Sequence, residues 1–194
     1  MDEELQTIAD QLKSPTGWPP PHISTKGLIP YIFRMSGKDH VGIEIGTCRG
    51  ESAYHILENC HNVKKLYTID PYLEFEDWVG TIPQATLDKN REIATENLKK
   101  FGSRVEMIHE KSSDALDKFL PHSVDFLYVD GDHSKDGTRN DLVNYFKFVR
   151  PGGIIMGHDH NLLSVREGIS EFRTICKCRN PLQMVSNQAW FLMR

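Results

Sequence analysis

The sequence predicts one α/β domain, a doubly wound and mostly parallel sheet of seven strands that closes with an antiparallel hairpin. Three observations lead to this prediction. The 194 residues suit one domain of ordinary size. Short β-branched or apolar runs alternate with longer stretches of helical spacing, which is typical of βαβ units and a parallel sheet. Two short apolar runs late in the chain flank Asn187 and Gln188, a pattern that indicates a hairpin.

The predicted strands and helices follow one another along residues 41–194. The parallel strands are predicted at residues 41–45, 65–69, 105–108, 124–129 and 153–156, and the hairpin strands at residues 183–186 and 189–193. Helices are predicted at residues 52–58, 84–101, 113–119, 137–148 and 164–172. Together they form the predicted ligand-binding domain.

Residues 1–40 do not show the alternation of strands and helices that predicts this domain. They combine an amphipathic opening, a proline-rich loop around Trp18 and a predicted helix over residues 26–35. We expect an N-terminal segment of helices and loop. It could cover the carboxyl edge of the sheet as a substrate lid, or it could be inert packing.

Composition and charge exclude several classes of partner. The formal net charge of −4, with 26% charged residues, gives no large basic field, so nucleic acid is not an expected partner. The start of the chain is acidic, and no apolar run approaches the ~18 residues that span a bilayer. We therefore expect a soluble, cytoplasmic protein without membrane association. The spacing of the four cysteines does not suit a zinc site, so they are predicted to be free thiols.

A glycine loop follows the first predicted strand. Gly46 and Gly50 allow a tight turn between strand and helix, against which a nucleoside ligand can lie. A dinucleotide fingerprint would need glycines where Cys48 and Glu51 stand, so a pyrophosphate ligand is disfavoured. The carboxylate of Glu44 also repels a pyrophosphate, but it suits the ammonium and sulfonium groups of S-adenosylmethionine. The alternative is a tight turn without a ligand.

Two further positions suit a nucleoside that lies across the sheet. Asp70 ends the second predicted strand, 20 residues after Gly50, where an acid can accept hydrogen bonds from both ribose hydroxyls. An Asp-Pro pair at this point could instead form a simple turn. Ser112 follows the third strand, where its hydroxyl could meet the adenine edge. Ser112 or Ser113 could also cap a helix, and the two roles are compatible.

Acidic and histidine side chains follow the fourth and fifth predicted strands. Because the carboxyl ends of neighbouring parallel strands line one crevice, Asp130, Asp159 and His160 are expected to converge. Carboxylates gathered in a half-buried crevice repel each other unless a proton or a cation bridges them. The sequence therefore predicts a divalent metal site, with a histidine ligand from position 158 or 160. The alternative is a polar loop without a metal.

These motifs resemble a known family. Residues 44–52 resemble the cofactor loop of catechol O-methyltransferase and its relatives, with the acid, both glycines and the serine in register. Lys26-Gly27 resembles a lysine-glycine pair upstream of the first strand in those enzymes. Residues 130–133, 150–153 and 157–159 resemble more closely the small-molecule and sugar O-methyltransferases related to the macrocin and rhamnosyl enzymes. The resemblance covers residues 25–194 and implies a class I S-adenosylmethionine-dependent methyltransferase with a Rossmann-like fold.

The resemblance also implies roles for individual residues. The implied cofactor-binding residues are Glu44, Gly46, Thr47, Gly50, Ser52, Asp70, Ser112 and Asp130. The implied metal ligands are Asp130, Asp159 and His160, where His160 stands in place of an asparagine of the catechol enzyme. That enzyme has a lysine base where this chain has His133, but the sugar enzymes have a histidine three residues after the metal-binding aspartate. His133 is therefore the expected base, and the third metal ligand stays open between His158 and His160.

The expected activity is transfer of a methyl group from S-adenosylmethionine to a hydroxyl of a small molecule, in the EC 2.1.1 class. Sugars, catechols and related metabolites are the expected acceptors, because a hydroxyl beside another oxygen can chelate magnesium or manganese. Trp18, Tyr72 and Trp78 could form an apolar wall for the acceptor. Sheet edges and the N-terminal helices could mediate a homodimer.

Three other functions remain open from the sequence. An NAD-dependent dehydrogenase has the same topology, but Cys48 and Glu51 disfavour it. A metal-dependent hydrolase would use the acids and His133 and leave Glu44 and Asp70 without a role. A catalytically silent nucleoside-binding module is the third alternative, and the intact set of acids disfavours it.

Overall fold

The computed structural model describes residues 38–77, 80–184 and 188–194. The expected N-terminal lid, its Trp18 and the Lys26-Gly27 pair lie outside these residues, as does Trp78. The turn of the predicted C-terminal hairpin also lies mostly outside them. All four cysteines are described, and they are free thiols as predicted.

The main sheet has seven strands, which confirms the predicted fold class. Its members in chain order are β1 (His40–Ile45), β2 (Val63–Ile69), β5 (Val105–Ile108), β6 (Val124–Val129), β7 (Val149–Gly157), β8 (Gln183–Met184) and β9 (Trp190–Met193). Their spatial order is β5-β2-β1-β6-β7-β9-β8. The first five are parallel, whereas β9 runs antiparallel to both β7 and β8.

Four helices cover the two faces of the sheet. They are α1 (Glu51–Asn59), α2 (Gln84–Leu98), α3 (Lys135–Phe146) and α4 (Leu163–Ile175). Alternate residues of each strand pack into two separate hydrophobic cores, one on each face of the sheet, because successive side chains of a strand point to opposite faces. Phe126 and Tyr128 pack with α1 and α2, whereas Leu127 and Val129 pack with α3 and α4. No helix in the described ranges is long and apolar enough to cross a membrane.

Several local features differ from the prediction. Strand β7 begins at Val149 rather than at residue 153. The predicted helix over residues 113–119 is only a short 3₁₀ turn at Leu116–Lys118, held by the buried side chains of Ala115 and Phe119 on either side. The helix predicted to end at residue 101 ends at Leu98 and continues as a 3₁₀ segment, Lys99–Arg104. A small antiparallel hairpin, β3 (Phe75–Asp77) and β4 (Gly80–Ile82), was not predicted.

Backbone hydrogen bonds extend the sheet one step beyond the strand ends. The amides of Gly46, Asp70, Asp130 and His158 each donate to the last carbonyl of the neighbouring strand, over 2.8–3.2 Å. These residues therefore stand at fixed positions along the carboxyl edge, where the chain turns away from the sheet. The candidate site is built on this edge.

Candidate active site

The glycines of the loop after β1 are required by its own packing. Gly46 has a φ of 91°, and a Cβ there would lie 2.0 Å from the carbonyl oxygen of Asp130. Gly50 has a φ of 73°, and a Cβ there would lie 3.1 Å from the Leu98 side chain of α2. Side chains rarely adopt such positive φ values, and no side chain fits against the Asp130 backbone. The glycine loop therefore packs closely against the end of β6.

Asp70 joins this loop to the end of β2. One carboxylate oxygen accepts a hydrogen bond from the amide of Cys48 at 2.9 Å, and the other accepts from the amide of Tyr72 at 2.9 Å. The Tyr72 hydroxyl donates to the Cys48 carbonyl at 2.9 Å. Tyr72 is buried, so it supports the loop rather than forming an open wall. Since an ionised carboxylate can accept about four hydrogen bonds, Asp70 has capacity left for the predicted ribose.

Glu44 is the most unusual charged group of the site. Its side chain is 0% exposed, and neither carboxylate oxygen has a hydrogen-bond partner within the described ranges. Burial raises its pKa well above the usual value, and the charges of Asp130 and Asp70 raise it further. A buried ionised carboxylate needs a hydrogen-bonded cationic partner. The position therefore suits a cationic group of a ligand.

Asp130, His133 and Asp159 come together at the ends of β6 and β7. Their donor atoms all lie within 4.8 Å of one another, and they form the one candidate metal-binding group found among the described residues. His133 Nε2 lies 3.0 Å from Asp159 Oδ2 and 3.9 Å from Asp130 Oδ1. Asp159 has a φ of 54°, in the left-handed region that non-glycine residues seldom adopt. This backbone conformation is part of how its carboxylate reaches the cluster.

The charges in this cluster depend on one another. The carboxylates of Asp130 and Asp159 raise the pKa of His133 to about 10, so its imidazole is held in the cationic form. Burial opposes ionisation of Asp159, but His133 and His158 hold the pKa of that carboxyl well below its usual range. Positive charge between the two carboxylates thus stabilises the arrangement.

The two remaining histidines lie in different surroundings. His158 is buried, with Nδ1 3.1 Å from Asp159 Oδ2 and 3.9 Å from Asp130 Oδ1. His160 is turned toward α4, where burial and the nearby Arg166 lower its pKa. The structure therefore does not bring His160 into the metal-binding group, and its predicted role as third ligand rests on the sequence alone. The geometry favours His133 or His158.

Ser112 has a buried partner that the sequence did not reveal. Its hydroxyl hydrogen-bonds to the carboxylate of Asp141 on α3, and its carbonyl accepts from the Tyr145 hydroxyl at 2.8 Å. Burial raises the pKa of Asp141 to about 6. The proposed helix cap at Ser112 is wrong, because no helix begins there. Asp141 lies on the buried stripe of α3 with Leu142 and Tyr145, and this helical spacing was the available signal.

Thr47 and Ser52 complete the predicted cofactor set. Both are buried, Thr47 in the glycine loop and Ser52 in the first turn of α1. Their hydroxyl groups lie in elements that adjoin Glu44 and Asp70 along the same edge. The edge as a whole offers acids suited to a cationic nucleoside at β1 and β2, and acids with imidazoles suited to a cation at β6 and β7.

Comparison with known proteins places this site in a family. A family profile described as "Methyltransferase domain" matches residues 43–160, which include the glycine loop and the acids of all four strand ends. An uncharacterized protein of Acanthamoeba polyphaga mimivirus, R132, is 32% identical over 123 residues. That match covers 61% of this chain and 50% of the viral protein, so the chain spans about half the length of this curated relative.

Solved structures with the same fold include three methyltransferases. The O-methyltransferase of Bacillus cereus, in complex with S-adenosylhomocysteine (SAH), superposes with a TM-score of 0.61 at 16% identity, over 99% of this chain and 90% of the other. TomG of Streptomyces achromogenes, bound to S-adenosylmethionine, gives 0.61 at 17% identity, over 100% and 90%. The SAH-bound methyltransferase PaMTH1 of Podospora anserina gives 0.63 at 17% identity, over 100% and 88%. The chain therefore belongs to the methyltransferase-domain family, and it has the fold of the class I S-adenosylmethionine-dependent methyltransferases that its sequence resembles.

Proposed function

We propose that this protein transfers the methyl group of S-adenosylmethionine to a hydroxyl of a small molecule, with a divalent metal between Asp130 and Asp159. The observation that carries this proposal is the convergence of two carboxylates and an imidazole within 4.8 Å, directly beside the glycine loop. A methyl donor at the loop and an acceptor oxygen at the cluster would be neighbours. Holding both in line is the main task of the protein.

The donor end of the site fits the chemistry of S-adenosylmethionine. Glu44 would accept hydrogen bonds from the ammonium of the methionine part, because its two buried oxygens lack partners within the described chain. Asp70 would accept from the ribose hydroxyls with its remaining lone pairs, and Ser112 would lie at the adenine edge. The sulfonium supplies the reactive methyl group when the donor is bound. Two of the solved relatives are described as bound to SAH and one as bound to S-adenosylmethionine, which supports the same ligand here.

The acceptor end fits a divalent cation. Asp130 and Asp159 would hold it through oxygen, with a third ligand from His133, His158 or the predicted His160, and this donor set suits magnesium or manganese. Such an ion lowers the pKa of a bound hydroxyl and orients it. In its absence the imidazolium of His133 supplies the positive charge between the carboxylates.

His133 is the proposed base of the reaction. Its Nε2 is buried 3.0 Å from Asp159 Oδ2, so an acceptor hydroxyl held at the cluster would have to lie beside this atom. Ser164 donates a hydrogen bond to the His133 carbonyl at 2.7 Å and so fixes the loop against α4. A cation between Asp130 and Asp159 would offset the negative charges that hold His133 protonated, so its imidazole could become neutral. The neutral ring would then take the hydroxyl proton at Nε2 as the methyl group moves, and in this role His133 would not be a metal ligand. Vicinal diols, in sugars or catechols, are the acceptors we propose.

The test has two stages. Titration calorimetry with SAH, with and without EDTA, measures donor binding, and we expect binding in both conditions. Transfer of labelled methyl from S-adenosylmethionine to a panel of catechols and sugars then measures activity with magnesium, manganese or EDTA. We expect transfer only with a metal, and loss of transfer in Asp159→Asn. Transfer that is unchanged by EDTA would refute the metal-dependent mechanism, and binding of NAD in place of SAH would favour the dehydrogenase alternative.

A further inference from the structure

A groove of about 450 Å³ runs along α4 beside the candidate site. It begins at His160, the residue after Asp159, and reaches the segment that follows the helix. Arg166, Arg173 and Arg179 line the groove, and none of its described lining residues is a carboxylate. A basic surface thus adjoins a site built of acids, in a chain whose net charge is −4.

Helical spacing aligns two of these arginines. Arg166 and Arg173 are seven residues apart on α4, which is two turns, so they lie on one face about 10 Å apart along the axis. Ser170 lies between them on the same face and is exposed. Two guanidinium groups with a hydroxyl between them form a row of hydrogen-bond donors. Such a row suits a ligand with several anionic oxygens.

The arginines of the groove have no acidic partners in the described parts of the chain. The two acids of α4 face α3 instead. Glu171 contacts Lys135 at 3.1 Å and Arg139 at 3.0 Å, both on α3, and the charge of Glu167 also acts on Lys135. The acids and the basic groove therefore lie on different sides of α4. The positive charge of the groove is not compensated by this element.

The donors of the groove are held in place by the backbone. The Arg173 guanidinium donates to the Asn180 carbonyl at 2.8 Å, while its buried Nε has no acceptor within the described ranges. The Arg173 carbonyl accepts from the Cys178 amide at 2.9 Å, which fixes the far wall of the groove to α4. Arg166 lies 3.3 Å from the Asn161 carbonyl at the end nearest the site. The buried Nε of Arg173 is not open to a ligand, and Arg166 also lies 3.4 Å from the His160 carbonyl, but the other terminal N–H groups of both arginines remain for one.

We propose that this groove binds a phosphate or diphosphate group of the methyl acceptor, whose hydroxyl reaches the cluster at Asp130 and Asp159. This inference rests on the proposed function and adds the class of acceptor, a phosphorylated small molecule. Arginine pairs recognise phosphate through bidentate hydrogen bonds, which a neutral sugar or catechol cannot form. The size of the groove suits a small molecule rather than a nucleic acid.

Inorganic pyrophosphate is the probe for this test. Its binding is measured by titration calorimetry in EDTA, so that no metal at Asp130 and Asp159 contributes. We expect saturable binding by the wild type and at least tenfold weaker binding by the double variant R166Q/R173Q. The single variant R179Q, whose side chain is exposed, should weaken binding more mildly without affecting the fold. R91Q, on the exposed face of α2, is the matched control and should bind as the wild type does.

Each outcome separates this inference from the proposed function. SAH affinity should be equal in all four proteins, which also shows that each variant folds. If the wild type binds SAH but not pyrophosphate, or if R166Q/R173Q binds pyrophosphate as well as the wild type, the groove proposal is wrong and the methyltransferase proposal stands. Failure of the wild type to bind SAH overturns the proposed function instead. Arginine-dependent binding of a single-stranded oligonucleotide that pyrophosphate does not displace would assign the groove to nucleic acid and overturn the small-molecule ligand.

Discussion

Substitution of Glu44 by glutamine tests the donor site most directly. The change keeps the size of the side chain and removes its negative charge. Glu44 is fully buried and lacks a partner within the described chain, so its charge has no structural use that the structure reveals. If its role is to bind the ammonium of S-adenosylmethionine, the substitution should weaken binding of SAH and spare the fold.

The expected magnitude follows from the environment of the carboxylate. A hydrogen bond to a charged group contributes about 1.5–3 kcal/mol, so the SAH dissociation constant should rise about 10- to 150-fold. The free energy of unfolding of the ligand-free protein, by contrast, should not fall. Because burial first, and then Asp130 and Asp70, raise the pKa of Glu44, its stabilising contribution is present at low pH and is lost as pH rises through that pKa. Glutamine removes this loss, so the ligand-free variant should be at least as stable as the wild type at pH 8.

Two measurements on the same proteins decide the matter. Titration calorimetry gives the SAH affinity, and urea denaturation without ligand gives the free energy of unfolding. Glu92→Gln, on the exposed face of α2, is the control for loss of a carboxylate and should change neither quantity. The reasoning is refuted if Glu44→Gln binds SAH as tightly as the wild type, or if it unfolds more easily than the wild type at pH 8.

Three further predictions concern other parts of the site. Asp159→Asn should weaken Mn²⁺ binding, measured by electron paramagnetic resonance, by more than about tenfold while SAH affinity is retained; equal Mn²⁺ affinity would exclude Asp159 as a ligand. Asp141→Asn should raise the free energy of unfolding, measured by urea denaturation, by up to about 3 kcal/mol, because burial raises the pKa of Asp141 from 3.8 to about 6. This gain in stability should appear between pH 4 and pH 6 and stay constant at higher pH. A gain that is independent of pH would contradict this. Gly46→Ala should lower the free energy of unfolding by about 2–5 kcal/mol, because the residue has a positive φ and a Cβ there would clash with the Asp130 backbone. Gly102 also has a positive φ, but no atom lies near the position of its Cβ, so Gly102→Ala should cost only about 1–2 kcal/mol. Equal costs would show that the contact with Asp130 is unimportant.

The parallel strands and the acids at their ends could be predicted from the sequence. Strands such as β6 are buried on both faces and read as continuous apolar runs, so their bounds are clear. Once a parallel sheet is predicted, the residues after its strands must share one edge. This is why the prediction brought Asp130 and Asp159 together although 29 residues separate them.

Other features depend on interactions that local patterns do not reveal. The hairpin begins at the exposed Phe75, two residues after the exposed Leu73, and its second strand, β4, has no buried residue. The segment over residues 113–119 has apolar residues at helical spacing, Ala115 and Phe119, but two anchors do not require a helix. Asp141 was missed because its partner Ser112 lies 29 residues earlier in the chain.

The histidines around Asp159 show why one ligand could not be predicted. In an extended chain, His158 and His160 would point to the same side, opposite to Asp159. The left-handed conformation of Asp159 breaks this alternation, and His158 and Asp159 both approach the crevice while His160 turns toward Arg166. Aspartate adopts a positive φ more often than most residues, but nothing in the sequence distinguishes Asp159 from the other aspartates. A single backbone dihedral thus decides which histidine adjoins the carboxylates.

The arrangement also explains how the fold tolerates so many acids at one edge. Gly46, Asp70, Asp130 and His158 are each held by a backbone hydrogen bond to the neighbouring strand, so repulsion between the carboxylates cannot separate them without breaking the sheet. The two cores on either side of the sheet supply the stability that opposes this repulsion. Ligands that bring positive charge to the edge relieve it, and their binding energy should therefore appear as increased stability of the folded protein. Because the charged groups are already in place, little of that energy is needed to order them.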